Sequence, residues 1–191
     1  VHAQGTRDHI VRGADELFYK QGFQRTSFAD IADAAGISRG NFYYHFKSKD
    51  EILDAVIGAR VAERREMLAR WEAEQATPAG RIRCFINTVI TDRADIENYG
   101  CPMGTLTTEL SKLGHGSLES AAGIFTLFRS WLGEQFAALG RAEDADELAM
   151  HVLAVSEGIA TMSNAYKDPE FVRREAARLC AWADAQAVRM V

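Results

Sequence analysis

The stretch KSKDEILDAVIGARVAERREMLARW, residues 47–71, carries helix signals from its first residues and meets no proline before Pro78. Ser48 stands as an N-cap with Glu51 at the third helical position, which satisfies amides that a first turn leaves free. The spacing predicts one helix running to about residue 74. A helix of that length is a connecting element: it joins whatever precedes it to whatever follows.

What precedes it is short and punctuated. A run over about 6–20 places Ile10, Val11, Ala14, Leu17 and Phe18 on one face at helical spacing. QGF ends it, with Gly22 free to take the left-handed conformation of a C-cap. In TSFADIADAAG, Ser27 and Asp30 form a variant capping box, Phe28, Ile31, Ala32 and Ala35 supply a buried stripe, and Gly36 stops the helix. A third helix of about eight residues starts near Ser38. It is marginal by itself and must lie against the other two.

Beyond the long helix, strand signals are few and only three prolines occur in 191 residues. Helices are expected over 79–92, 105–113, 118–139, 145–165 and 169–188, broken at NYGCPMG, GHGS, GRAEDA and YKDP, with Pro169 at a helix start that tolerates it. The fold class is therefore all-α, with nine helices. Residues 1–50 form a three-helix domain, and residues 51–191 comprise the linking helix and a larger helical domain.

Charge narrows the partners. Seven Lys/Arg against six Asp/Glu in residues 1–50 leave +1 there and −6 for the rest of a chain whose formal charge is −5. Polyanion contact is expected to be local and amino-terminal, because affinity for a phosphate backbone depends on nearby cations. No stretch has the apolar length of a signal peptide or a membrane span, so the expected setting is cytoplasmic, without a membrane partner. Cys84, Cys101 and Cys180 are an odd count without paired spacing, against both a disulfide framework and a structural zinc site. No nucleotide-binding glycine loop, HExxH or GxSxG occurs. The chain is expected to be no enzyme and to need no cofactor or metal.

SRGNFYYHFKSK, residues 38–49, holds the candidate binding chemistry. Helix two, the Gly36 turn and helix three have helix-turn-helix spacing, in which the third helix enters the DNA major groove. Phe42 and Phe46, four apart, face the small core with Ile37. Arg39, Asn41, Tyr43, Tyr44 and His45 divide the other faces. Arg39 suits the O6 and N7 of guanine, and Asn41 adenine or a phosphate. Tyr43, His45 and Lys49 offer donors to phosphate, joined by Thr26 and Ser27 at the start of helix two. The plainer alternatives are that Lys47 and Lys49 are a solvated helix start, that Tyr43 or Tyr44 is core, and that His45 is an ordinary surface histidine.

Residues 8–57, DHIVRGADELFYKQGFQRTSFADIADAAGISRGNFYYHFKSKDEILDAVI, resemble the DNA-binding domain of TetR-family transcriptional regulators. The pattern LF..GF..TS..DIA..AG.S.G.FY.HF.SK..L stands at Leu17 to Leu53. The resemblance implies a fourth helix linking this domain to a ligand-binding and dimerisation domain. It implies phosphate contacts by Thr26, Tyr43, His45 and Lys49, and base contacts by Ser38, Arg39, Gly40, Asn41 and Tyr44.

NYGCPMGTLTTEL, residues 98–110, is similar to a segment in one branch of that family. Gly100 and Gly104 permit close backbone packing and Pro102 limits it, so Tyr99, Cys101 and Met103 are expected to line an effector pocket. Cys101 is either a packed thiol or a nucleophilic electrophile or redox sensor. Phe85, Phe125, Phe128, Trp131, Met150 and Met162 are apolar pocket candidates, most of them also needed as core. Asn87, Thr91, Thr108, Glu109, His115 and Glu157 are polar ones. The last two helices carry apolar stripes, Leu148, Val152, Val155 and Ile159, then Phe171, Ala176, Leu179, Ala183, Ala187 and Met190, that a homodimer would cover as a four-helix bundle. The function expected is a ligand-responsive regulator of double-stranded operator DNA, a repressor released by a small molecule. A helical protein-interaction module is the alternative.

Overall fold

The computed structural model describes residues 2–187, apart from the side chains of residues 2–4, 39 and 41. It is all-helical among the described residues: α1 (His2–Gln21), α2 (Phe28–Ala34), α3 (Arg39–His45), α4 (Lys49–Glu74), α5 (Pro78–Thr91), α6 (Arg93–Tyr99), α7 (Pro102–Leu113), α8 (Leu118–Ala138), α9 (Ala145–Tyr166) and α10 (Pro169–Asp184). No helix among the described residues is long and apolar enough to cross a membrane.

The start and stop signals act as their chemistry requires. Ser27 accepts from the Asp30 N–H while the Asp30 carboxylate accepts from the Ser27 N–H, a complete capping box. Gly22 and Gly36 take positive φ, +93° and +61°. Ser48 Oγ accepts from the Glu51 N–H at 3.1 Å, which starts α4.

Two boundaries differ from expectation. Residues 93–99 form a separate helix, α6, because TDRADIENY contains no breaker: a single non-helical residue, Asp92, divides it from α5, and Ile96 is buried. The break expected across residues 98–104 narrows to Gly100, at φ +82°, and Cys101. Pro102 then occupies the first position of α7, where a missing N–H costs nothing. The last helix ends at Asp184, and Met190 lies outside the described residues.

Contacts divide the chain into two compact units, residues 1–64 with 105–122, and residues 65–104 with 123–191. In the first, Ile10, Val11, Ala14 and Phe18 of α1, Ile31 and Ala32 of α2, Phe42 of α3 and Phe46 just after it share one core with Ile52, Leu53 and Val56 of α4. Leu106 and Leu110 of α7 belong to this core as well. Arg60 of α4, 5% exposed, is paired with Asp15 of α1 at 2.6 Å.

In the second unit α10 packs against α5 and α9, and α9 also packs against α6 and α5. These neighbours correct the expected stripes: Leu148, Val152, Ile159, Ala176, Leu179 and Ala183 are buried within the unit, and Val155 and Phe171 partly so. The α9 residues left to solvent are different ones, among them Glu147, Met150, His151, Ala154, Thr161, Met162 and Ala165.

Phe46 is 1% exposed, with the Arg7 guanidinium 4.7 Å from its ring centre. Phe46→Ala is expected to destabilise the first unit by about 3–5 kcal/mol, measured by denaturant unfolding.

Candidate functional site

The aromatic cluster of α3 divides as a short amphipathic helix must. Phe42 and Phe46 are 1% exposed, whereas Tyr43 and Tyr44 are 50% and 74% exposed, so neither tyrosine joins the core. Tyr43 stacks on Phe28 of α2 at 5.7 Å between ring centres, and Phe28 meets Phe42 edge-on at 5.3 Å. Ser27, Phe28, Ala29, Ala32, Phe42 and Tyr43 line a hollow of about 230 Å³ between the two helices. Ser27, Ser38 and Gly40 are exposed on this unit, and His45 is half-buried with its ring edge-on to Tyr44 at 5.2 Å. The backbone of Arg39 and Asn41 lies in α3, but their side chains are outside the described set.

Hydrogen bonds from the Ser27 backbone and hydroxyl hold the Asp30 carboxyl below its usual range. The Asp30 carboxylate of the capping box is thus ionised at neutral pH, and α2 is anchored at its start, where Phe28 meets Tyr43.

Two side chains expected to reach phosphate face inward. Thr26 is 1% exposed, and its Oγ1 accepts from Gln21 Nε2 at 3.2 Å and donates to the Gly22 carbonyl at 2.7 Å. Lys49 Nζ donates to the carbonyls of Phe23, Gln24 and Thr26 at 2.9, 3.3 and 3.1 Å and lies 4.3 Å from the Phe23 ring centre. A turn's unused carbonyls need donors, and here an ammonium supplies them. In the free protein both residues serve the 22–26 turn. Lys47 is exposed, and its ammonium donates to the Tyr43 carbonyl.

In the second unit Tyr99, Cys101 and Met103 are half-buried. Cys101 Sγ donates to Glu157 Oε1 of α9 at 3.0 Å. Gly104 allows this approach: a Cβ there would stand 2.5 Å from Glu157 Oε2. Burial pushes the Cys101 thiol up to about 12, and the neighbouring carboxylate adds to the effect. Burial likewise raises the Glu157 carboxyl. A thiol so held is a neutral donor and not a nucleophile.

The other pocket candidates lead elsewhere. Phe128 packs edge-on against Phe85 at 5.1 Å, and Trp131 donates to Glu72 at 2.6 Å, both as buried residues. Phe125 is half-buried, and Met150 and Met162 are exposed on α9. Glu109 and His115, expected as polar pocket groups, lie in the first unit, against the 22–26 turn. Both Glu109 and Glu157 act across long sequence separations, which no local pattern signals.

Residues 10–56 match the family model described as bacterial regulatory proteins, tetR family, and residues 78–178 match one described as transcriptional regulator LmrA/YxaF-like, C-terminal domain. An uncharacterised HTH-type transcriptional regulator of Lactococcus lactis is 30% identical over 71% of this chain and 70% of its own length. The HTH-type transcriptional regulator TtgR of Pseudomonas putida is 37% identical over 47% of this chain and 43% of its own. A TetR transcriptional regulator from Legionella pneumophila shares the fold at TM-score 0.80 and 24% identity, over 94% of this chain and 96% of that one.

With the thiol near 12, roughly one Cys101 in ten thousand is ionised at pH 8. Intact-mass analysis after iodoacetamide at pH 8 is expected to show Cys101 unmodified until the protein is unfolded. The raised value also sets a pH dependence. Its stabilisation is full below the ordinary thiol value of 9.0 and is lost as pH rises toward 12, because the unfolded chain releases the proton first. Chemical-unfolding midpoints across this range check it, with Cys101→Ala as the control that removes the contribution.

Proposed function

Because the chain belongs to the TetR family of transcriptional regulators, we propose that it is a cytoplasmic homodimeric repressor that leaves operator DNA when a small molecule binds its second unit. The observation that carries the reading is the division of residues 42–46, which sinks Phe42 and Phe46 and leaves Tyr43 and Tyr44 in solvent, Tyr43 stacked at the capped start of α2. Exposed tyrosines on a rigid short helix are suited to phosphate and base edges of a major groove. In this reading Tyr43, His45 and Ser27 contact phosphate and Ser38, Arg39, Gly40, Asn41 and Tyr44 contact bases. Thr26 and Lys49 act through the turn they hold. The functional division falls near residue 50, with α4 as the link.

The dimer uses α9 and α10. At Met150, Ala154, Thr161, Met162 and Ala165 α9 exposes small side chains and two methionines, bounded toward its amino-terminal end by Glu147 and His151, which lets a two-fold mate approach closely. Two such heads read half-sites about 34–36 Å apart. The effector binds beside Tyr99, Cys101 and Met103, in the branch of the family with a GCPMG-type segment. It acts by its different affinity for two states linked through α4. The neutral, carboxylate-bound thiol favours non-covalent binding over an electrophile switch.

Selection from a random duplex library, followed by titration against a scrambled control, tests the reading. Tyr44→Ala is expected to cost about 1–3 kcal/mol of operator affinity and to change thermal stability by less than about 0.5 kcal/mol, as an exposed residue should. Equal affinity for selected and scrambled duplexes would favour the protein-interaction module. Thr161→Glu, which sets a charge in the middle of the exposed α9 face, is expected to lower the mass in light scattering from twice 21.1 kDa to 21.1 kDa. A dimer that survives it does not use this face.

A further inference from the structure

The 22–26 turn is held from two sides. Lys49 of α4 takes its carbonyls, and Glu109 of α7 takes its amides. Glu109 Oε2 accepts from the Phe23 N–H and Oε1 from the Gln24 N–H, both at 2.9 Å. The residue before them has to be glycine for the carboxylate to come so close: at Gly22, φ +93°, a Cβ would stand 3.0 and 3.2 Å from the two oxygens. Leu106 and Leu110, one on each side of Glu109 in sequence, are buried in the same core as Phe23, which seats α7 firmly. Just past the end of α7, His115 meets the Phe23 ring edge-on at 5.1 Å and brings Nε2 to 3.4 Å from Asp50.

The turn delivers the chain directly to Ser27, the exposed cap of α2. Its register therefore decides where the Ser27 hydroxyl stands and how Phe28 supports Tyr43. We infer that Glu109 is a positioning residue for DNA reading: through a two-oxygen clamp on the Phe23 and Gln24 amides, α7 holds the turn that places Ser27 and the Phe28–Tyr43 stack against the duplex. This rests on the proposed DNA-binding reading. Within the first unit it adds a second fastening of the 22–26 turn besides Lys49 of α4.

Hydrogen bonds to a charged acceptor are stronger than neutral ones, and without the carboxylate the Phe23 and Gln24 amides lose that fixed acceptor. Glu109→Ala removes both bonds. Glu109→Gln keeps one oxygen and turns an amide NH2 toward the other N–H. The test uses the full chain and a duplex selected by the wild-type protein, with affinities corrected for the folded fraction measured by circular dichroism. Amide exchange at Phe23 and Gln24 is expected to accelerate in both variants. Operator affinity is expected to fall about tenfold in Glu109→Ala and by less in Glu109→Gln. Ser27→Ala supplies the readout that a merely structural role would not move: it should weaken the wild type several-fold and Glu109→Ala by less than about twofold. Faster exchange with affinity within twofold of wild type overturns the inference. So does a Ser27→Ala cost that is equal in both backgrounds, or exchange unchanged by the loss of Glu109. If the wild type enriches no duplex at all, the DNA-binding reading falls first and the inference falls with it.

Discussion

Five residues, 22–26, bear on everything the first unit presents to solvent. A turn exposes backbone donors and acceptors in both directions, and here neither set is left to water alone. The Glu109 carboxylate takes two amides, the Lys49 ammonium takes three carbonyls, and Thr26 closes the turn on Gly22. Opposite charges placed on opposite sides of one turn fix its conformation more firmly than neutral partners would, because charge-assisted hydrogen bonds are the strong ones. The capping box of α2 follows immediately, so the helix starts from a defined point.

From there the consequences are geometric. With α2 anchored, Ile31 and Ala32 fill one side of the small core and Phe28 braces Tyr43. A seven-residue helix such as α3 is not stable alone. Phe42 and Phe46 bind it to the core, and the helical period then obliges Tyr43 and Tyr44 to face outward. In the second unit a comparable economy appears at Gly104, whose missing side chain admits the Glu157 carboxylate to the Cys101 thiol. The bare glycines at 22 and 104 each make room for a carboxylate that arrives from a distant helix.

Much of this was legible in the residues. Local signals do their work within a few positions, so the caps Ser27 and Ser48, the stops at Gly22 and Gly36, the buried pair Phe42 and Phe46, and the extent of α4 could all be read. The segment from 98 to 104 reads as a loop because glycine and proline usually break helices, yet Pro102 stands at the one helical position that favours it. The apolar stripes of α9 and α10 are real, but α5, α6 and the two helices' own contact cover them, and periodicity does not say which neighbour does so. Glu109 and Glu157 look like generic polar residues until the fold brings them 86 and 56 positions back along the chain. The same limit applies to Lys49 and Thr26, whose side chains suit a phosphate in sequence and a backbone carbonyl in the folded chain.

The central claim is that the exposed face of α3, set by the core beneath it and the turn behind it, is where the protein meets DNA. Hydrogen–deuterium exchange of the full chain, alone and with a selected duplex, tests this most directly. The account predicts added protection over residues 27–29 and 39–45, with α5 and α8 unchanged. Protection confined to α9 and α10, or none over 39–45 while the duplex is bound, would contradict it.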